Sequence, residues 1–222
     1  MTYFIEMNEN RIEKKFVLGK FKDDYLRKQL LINGFTQQYP DRTISSIYLD
    51  TLNYNFARDN INGVSERKKI RIRWYNNDLN NISIEEKNKK NFNVWKKINK
   101  LNLQFNKHEI TKHLKKNFFD LYLKNNSFNY KFVLKTNYKR SYWILNNKKI
   151  RATIDIDIST SPANNLSRHL DLNETILEFK FDPINEVFFR NFFNKKISFL
   201  RTNKYSKYVR SFIELENSGL IN

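Results

Sequence analysis

Residues 67–74 read Arg67-Lys68-Lys69-Ile70-Arg71-Ile72-Arg73-Trp74, and this run constrains the fold more than any other feature. On a β-strand, successive side chains point to opposite faces. Arg67, Lys69, Arg71 and Arg73 then share one face, and Lys68, Ile70, Ile72 and Trp74 share the other. Cations side by side on one short strand repel one another unless negative charge lies nearby. The run therefore asks for a solvated face or for a partner that brings anions.

The alternation recurs along the chain. Arg11, Glu13 and Lys15 share a face, as do Glu85 with Lys87, and Tyr138 with Arg140 and Tyr142. Arg151, Thr153, Asp155 and Asp157 stand opposite Ala152, Ile154, Ile156 and Ile158. Glu178 and Lys180 stand opposite Leu177, Phe179 and Phe181. Any one such strand is accounted for by a wet face and a core face. The Glu-x-Lys spacing, however, repeats at 13/15, 85/87 and 178/180, which points to one shared surface. If the sheet closes, that surface becomes an interior. A cation-lined interior calls for a polyanion, and carboxylates among the cations suit a divalent metal, which prefers oxygen ligands. A phosphate chain carrying a metal fits both.

Lys+Arg number 41 against 23 Asp+Glu, a net charge of +18. Lys is preferred over Arg and Asn is abundant, so part of that charge reads as codon bias from an AT-rich genome. Charge alone is thus weak evidence for a nucleic-acid partner. A 40% hydrophobic and 15% aromatic content supports a sizeable core and excludes a disordered basic tail. The absence of Cys excludes a disulfide framework, a thiol nucleophile and Cys-ligated metal. Three His leave little room for a His-rich zinc site, and four Gly can hardly supply a glycine-rich phosphate loop. No basic-then-apolar leader is visible, and no apolar run approaches the roughly 18 residues of a membrane span. A soluble, cytoplasmic chain is expected. No linker or repeat divides it, so a single domain over residues 1–222 is expected.

Period-two patterning and β-branched or aromatic content predict strands over 9–18, 43–50, 65–75, 81–88, 92–99, 131–144, 149–158 and 174–181. Helical spacing covers 22–33, 107–124, 183–196 and 203–215, with Asp182-Pro183 reading as an N-cap followed by proline. This order predicts an α+β protein built on an antiparallel sheet. Phe188, Phe189, Phe192 and Phe193 read as helix-packing residues, and His108, His113 and His169 as surface residues.

The ordered series Arg11-x-Glu13-x-Lys15, Ser46-Ile47-Tyr48-Leu49-Asp50-Thr51, Arg67-x-Lys69-x-Arg71-x-Arg73-Trp74-Tyr75, Glu85-x-Lys87, Tyr138-x-Arg140, Arg151-x-Thr153-x-Asp155, Glu178-x-Lys180 and Ser206-Lys207-Tyr208 resembles the VTC domain. That is the catalytic domain of polyphosphate polymerases, within the triphosphate tunnel metalloenzyme superfamily. The resemblance implies a closed antiparallel β-barrel tunnel with a polar, cation-lined interior and helices packed outside. It implies an ATP-dependent phosphotransferase that passes the γ-phosphoryl group of ATP to a growing polyphosphate chain and releases ADP. The partners implied are ATP and inorganic polyphosphate, and the cofactor is Mn2+ or Mg2+ (manganese or magnesium). By motif, Lys15, Arg71, Arg73, Lys87, Arg140 and Arg151 would be the tunnel cations that act in catalysis. Lys69, Lys97, Tyr138, Lys204, Ser206 and Lys207 would contact phosphates, and Glu178 would hold the metal. Lys96 adjoins Lys97, and register decides between them. Lys204 and Lys207 are three apart and would share a helical face.

These residue types suit phosphoryl transfer, whose loose transition state is stabilised mainly by positioning and electrostatics. Arg stays charged and offers a bidentate fork to phosphate. Hydrolases of the superfamily open with Glu-x-Glu-x-Lys. Arg11 in the first position here removes an acid and favours the polymerase branch. Hydrolysis of triphosphate or tripolyphosphate is the alternative, and a non-catalytic polyanion module for polyphosphate or RNA is the second. The patterned cations alternate with residues that read as buried, unlike an open nucleic-acid face, so no specific nucleic-acid partner is expected. Asp155 is expected to orient a neighbouring Arg by ion pairing, and Glu13 and Glu85 to hold Lys15 and Lys87.

Overall fold

Period-two segments account for most of the chain in the computed structural model, which describes residues 5–8, 11–20, 22–91, 93–102, 130–145, 147, 149–196 and 200–221. The strands are β1 (Ile5–Asn8), β2 (Ile12–Gly19), β3 (Thr36–Thr51), β4 (Glu66–Tyr75), β5 (Asp78–Lys90), β6 (Asn93–Asn102), β7 (Tyr130–Leu145), β8 (Ile150–Pro162), β9 (Leu170–Asp171) and β10 (Glu174–Phe181). The helices are α1 (Asp23–Ile32), α2 (Asn55–Ile61), α3 (Glu186–Lys196, after a short 3-10 turn at Pro183–Asn185) and α4 (Lys207–Asn217). The predicted helix over 107–124, with His108 and His113, lies outside the described residues; His169 is exposed. No helix among the described residues is long and apolar enough to cross a membrane.

All strands join one antiparallel sheet in the order β1-β6-β5-β4-β3-β7-β8-β10-β2, with β9 added beside β8. The expected closed barrel is not formed: among the described residues no ladder links the two ends. At one end β1 pairs with β6. At the other, β2 pairs with β10, and its outer edge meets the chain just before α4. Phe16 bridges Thr202, the Asn203 amide donates to the Lys15 carbonyl at 2.8 Å, and the Val17 amide donates to Asn203 Oδ1 at 3.3 Å. Edge groups of β2 are thereby satisfied without closure. The sheet curls instead, far enough that Lys87 on β5 comes within 3.5 Å of Glu13 on β2.

The convex face carries the main core. Phe16, Ala152, Ile154, Leu177 and Phe179 pack beneath Leu26 and Leu30 of α1 and Phe189 of α3. Each fully buried Leu or Phe side chain contributes about 1.5–3 kcal/mol, which fixes both helices to this side. Phe189 stacks on Phe181 at 4.3 Å, and Phe188, Phe192 and Phe193 pack on the same cluster, so these rings are core. A second convex cluster joins Ile47, Ile70, Ile72, Trp74 and Ile84 across β3, β4 and β5.

The helices are not all outside. Tyr208, Phe212 and Leu215 of α4 pack on Tyr48 and Leu134, so α4 covers one end of the concave side. Asp50 locks this end, accepting the Tyr208 hydroxyl at 2.5 Å and the Phe56 and Ala57 amides of α2 at 2.9 Å each. Those amides belong to the first turn of α2 and have no partner within the helix.

The period-two reading of β8 holds through Ile156 and fails at Asp157. Asp157 sits at φ 52, and the ladder to β7 skips a residue between Asn137 and Lys139. This bulge turns Ile158 to the concave side, where it packs with Ile44, Tyr138 and Ile176 rather than with Ala152 and Ile154.

Candidate functional site

The concave face encloses a cavity of about 450 Å³ lined by twelve Lys or Arg side chains and three carboxylates. Strand parity puts them there. β4 contributes Arg67, Lys69, Arg71 and Arg73, and β5 adds Glu85, Lys87 and Lys89. β2 contributes Glu13 and Lys15 with Arg11 just before it, and β10 contributes Glu178 and Lys180. Tyr138 and Arg140 come from β7, Lys96 from β6, and Ser206 and Lys207 from the start of α4.

The carboxylates are shared among the cations. Glu85 Oε2 meets Arg71 Nη2 at 2.5 Å, Lys96 at 3.1 Å and Arg73 Nη1 at 3.7 Å. Burial alone would push the Glu85 carboxyl up, but these cations hold it well below the carboxylate range. Glu13 likewise meets Lys180 at 2.9 Å, Lys15 at 3.4 Å and Lys87 at 3.5 Å; burial raises it and the three lysines override that. Asp155, fully buried behind the wall, takes Arg140 at 2.5 and 2.7 Å and Lys207 at 2.5 Å. The Tyr138 ring has Lys207 Nζ 4.5 Å and the Arg140 guanidinium 5.3 Å from its centre, while its hydroxyl accepts from Arg73 Nη2 at 3.1 Å. Burial would raise that hydroxyl's pKa, but the surrounding cations lower it. Lys69 donates to Ser206 Oγ at 2.9 Å, and burial beside Lys15, Lys87, Arg67 and Arg71 brings its pKa down to about 7.

Among the residues singled out from sequence, Lys15, Lys69, Arg71, Arg73, Lys87, Tyr138, Arg140, Glu178, Ser206 and Lys207 converge on the cavity. Three do not line it. Arg151 lies on the Asp155 face of β8 but is exposed at the strand's far end. Lys97 points away, because Lys96 pairs opposite Lys87 and takes the concave side. Lys204 is exposed and precedes the helix, which starts at Lys207 with Ser206 as N-cap, so the shared helical face does not exist. Asp155 pairs with Arg140 as expected. Glu13 holds Lys15, whereas Glu85 meets Arg71, Arg73 and Lys96. Lys96 and Lys180 were not singled out as site residues; the Glu178-x-Lys180 repeat carried the signal for the second.

Glu178 is 6% exposed and lies 3.3 Å from Lys180. Burial pushes its pKa up, while Lys180, Lys15 and Arg140 pull it down, leaving it ionised. Among the described residues no group of three or more His, Cys, Asp or Glu could hold a metal. A single carboxylate such as Glu178 fits only a divalent ion that takes most of its oxygens from substrate phosphates and water.

Comparison with known proteins agrees with this architecture. The VTC domain family model matches residues 10–215. A Bacillus halodurans protein named as an adenylate cyclase superimposes with a TM-score of 0.58 at 16% identity, over 92% of this chain and 98% of that chain. A Hippeastrum protein named as an adenylyl cyclase, and described as having a dominant triphosphatase activity, gives 0.53 at 13% identity over 96% of each chain. A Vibrio parahaemolyticus protein, also named as an adenylate cyclase, gives 0.51 at 10% identity, over 90% of this chain and 96% of that one. At these identities the likeness is one of fold. No curated protein matches the sequence. With its family model matched over nearly the whole length and most of its motif residues gathered on one concave wall, the chain belongs to the VTC domain family.

Proposed function

We propose that the cavity binds the phosphates of ATP and a polyphosphate end, and that the protein is a polyphosphate polymerase. The observation that carries this reading is the imbalance on one wall, twelve cations against three carboxylates. Like charges packed this closely repel one another, and a bound polyanion relieves that repulsion. An oxygen of the acceptor phosphate attacks the γ-phosphorus, the new P–O bond forms, and the bond to the β–γ bridging oxygen breaks with ADP as leaving group. Arg71, Arg73, Arg140, Lys15 and Lys87 hold the transferring and flanking phosphates and offset charge on the equatorial oxygens. Tyr138 and Ser206 offer hydroxyls, and Lys207 adds charge at the α4 terminus, itself favourable for anions. Glu178 would hold a divalent metal (Mn2+ or Mg2+), which supplies further charge neutralisation when bound. Hydrolysis of the same triphosphate is the second reading, favoured by the activity described for the Hippeastrum relative of like fold.

The test is incubation with ATP and Mn2+ or Mg2+, with products resolved by gel and phosphorus NMR and Glu178→Gln as control. Long phosphate chains plus ADP, absent in the control, support the polymerase. ADP and free phosphate alone support the hydrolase. Intact ATP with polyphosphate still bound would leave only a binding module.

A further inference from the structure

We propose that Tyr39, Arg42 and Tyr142 form a stacking seat for the base of a nucleoside triphosphate whose phosphates lie in the cavity. The proposal rests on the phosphate-binding reading above and names a part of the site that reading leaves unassigned.

Register places the seat. Arg42 pairs with Arg140 across the β3–β7 ladder, and Tyr39 pairs with Tyr142. Directly paired residues share a face, and Arg140 lines the cavity, so the three side chains continue the concave wall beyond Arg140, at the end away from α4. The Arg42 guanidinium lies 5.0 Å from the Tyr39 ring centre and 5.6 Å from that of Tyr142, and the two rings meet edge-to-face at 5.9 Å. Tyr39 is 49% exposed and Arg42 is half-buried, so the Tyr39 ring meets solvent beside the phosphate cavity with the guanidinium against it.

The arrangement is held in advance. An extra residue in β3 between Tyr39 and Arg42 breaks the ladder there. Gln37 Nε2 ties that bulge by donating to the Tyr39 carbonyl at 2.9 Å and to Asp41 Oδ1 at 3.0 Å. Asp41 is anchored in turn by Arg27 of α1 at 2.8 Å. The tyrosines inside the cavity are already engaged: Tyr138 with Arg73, Tyr205 with Glu174 and Tyr48 stacked on Tyr208. A planar, uncharged base finds at Tyr39 and Arg42 what phosphates do not need. Stacking of this kind accepts any base, because every base has a π-face.

The experiment compares ATP with inorganic tripolyphosphate by calorimetry, on wild type, Tyr39→Ala, Tyr39→Trp and Arg42→Lys, with circular dichroism to confirm folding. Arg42→Lys keeps the charge and removes the planar fork. The expected result is about a tenfold loss of ATP affinity for Tyr39→Ala, a loss also for Arg42→Lys, and retention for Tyr39→Trp. Tripolyphosphate affinity should change far less, so the ratio between the two ligands falls. Equal losses for both ligands would make these residues phosphate contacts or scaffold and overturn the seat. Wild type that binds tripolyphosphate as tightly as ATP would overturn the seat and leave the phosphate cavity standing. Wild type that binds neither would overturn both.

Discussion

Arg140 and Asp155 face each other across the β7–β8 ladder and share two hydrogen bonds, Nε to Oδ1 at 2.5 Å and Nη2 to Oδ2 at 2.7 Å. Lys207 closes on the same carboxylate from α4. One buried anion thus aims two cavity cations and ties the helix to the sheet. Breaking a buried pair costs about 3–5 kcal/mol, because the remaining charges lose their partner. Asp155→Asn should lower stability by about 3 kcal/mol, read as a shift in urea midpoint. Tripolyphosphate should restore part of the loss by taking up the freed cations. An unchanged midpoint would remove Asp155 from this role.

Glu85 gathers Arg71, Arg73 and Lys96 onto one oxygen. Burial would raise its pKa, but the cations bring it well below the ordinary 4.5. A depressed folded value means that its stabilisation is complete above pH 4.5 and fades only as pH falls below that. Glu85→Gln should reduce the acid-side loss of stability by this group's share, with Glu13 and Asp155 still contributing. It should also weaken the apo fold yet increase the thermal shift given by tripolyphosphate, since Arg71, Arg73 and Lys96 lose the carboxylate they share and the phosphates take its place. Scanning calorimetry between pH 3 and pH 7, with and without ligand, would show both; a ligand shift smaller than that of wild type contradicts the argument.

Arg140 and Arg151 are separated by placement rather than residue type. Arg140 is held at the cavity by Asp155, whereas Arg151 is exposed beyond it. Arg140→Ala should cost about 2–4 kcal/mol of transition-state stabilisation, by analogy with the loss of one oxyanion donor. Arg151→Ala should change kcat/KM by about twofold at most, as an exposed substitution away from the site. Equal losses would bring Arg151 into contact with substrate.

The sheet was legible because alternation is a local signal: each of the eight predicted strands is present, and five of them run longer than predicted, β3 by eight residues. Closure was not legible, since it depends on which edge meets which, and β2 is met by Thr202 and Asn203. The β8 bulge escaped for the opposite reason, one residue at φ 52 reversing a pattern that otherwise reads cleanly. Most of the cavity followed from parity alone. Lys96 and Lys97 differ by one position, and in a strand one position decides the face. The shared helical face of Lys204 and Lys207 assumed a helix from residue 203, whereas the helix starts only at Lys207. The short α2 carries little periodicity, and its anchor, Asp50, acts from a neighbouring strand.

Lys69 links the wall to the helix through Ser206, and its pKa of about 7 makes that link pH-dependent. The folded value lies below the ordinary 10.5, so the unfolded chain holds this proton more tightly. Lys69 therefore penalises folding increasingly as pH falls from 10.5 towards 7, and the penalty levels off below 7. A bound polyphosphate reverses the balance, because its negative charge favours the ammonium form. At pH 8, where free Lys69 is mostly neutral, binding of tripolyphosphate should take up about one proton. Titration calorimetry in two buffers of different ionisation enthalpy measures that uptake directly. Lys69→Met should abolish it while leaving binding detectable, and an undiminished uptake in that variant would assign the proton to another group.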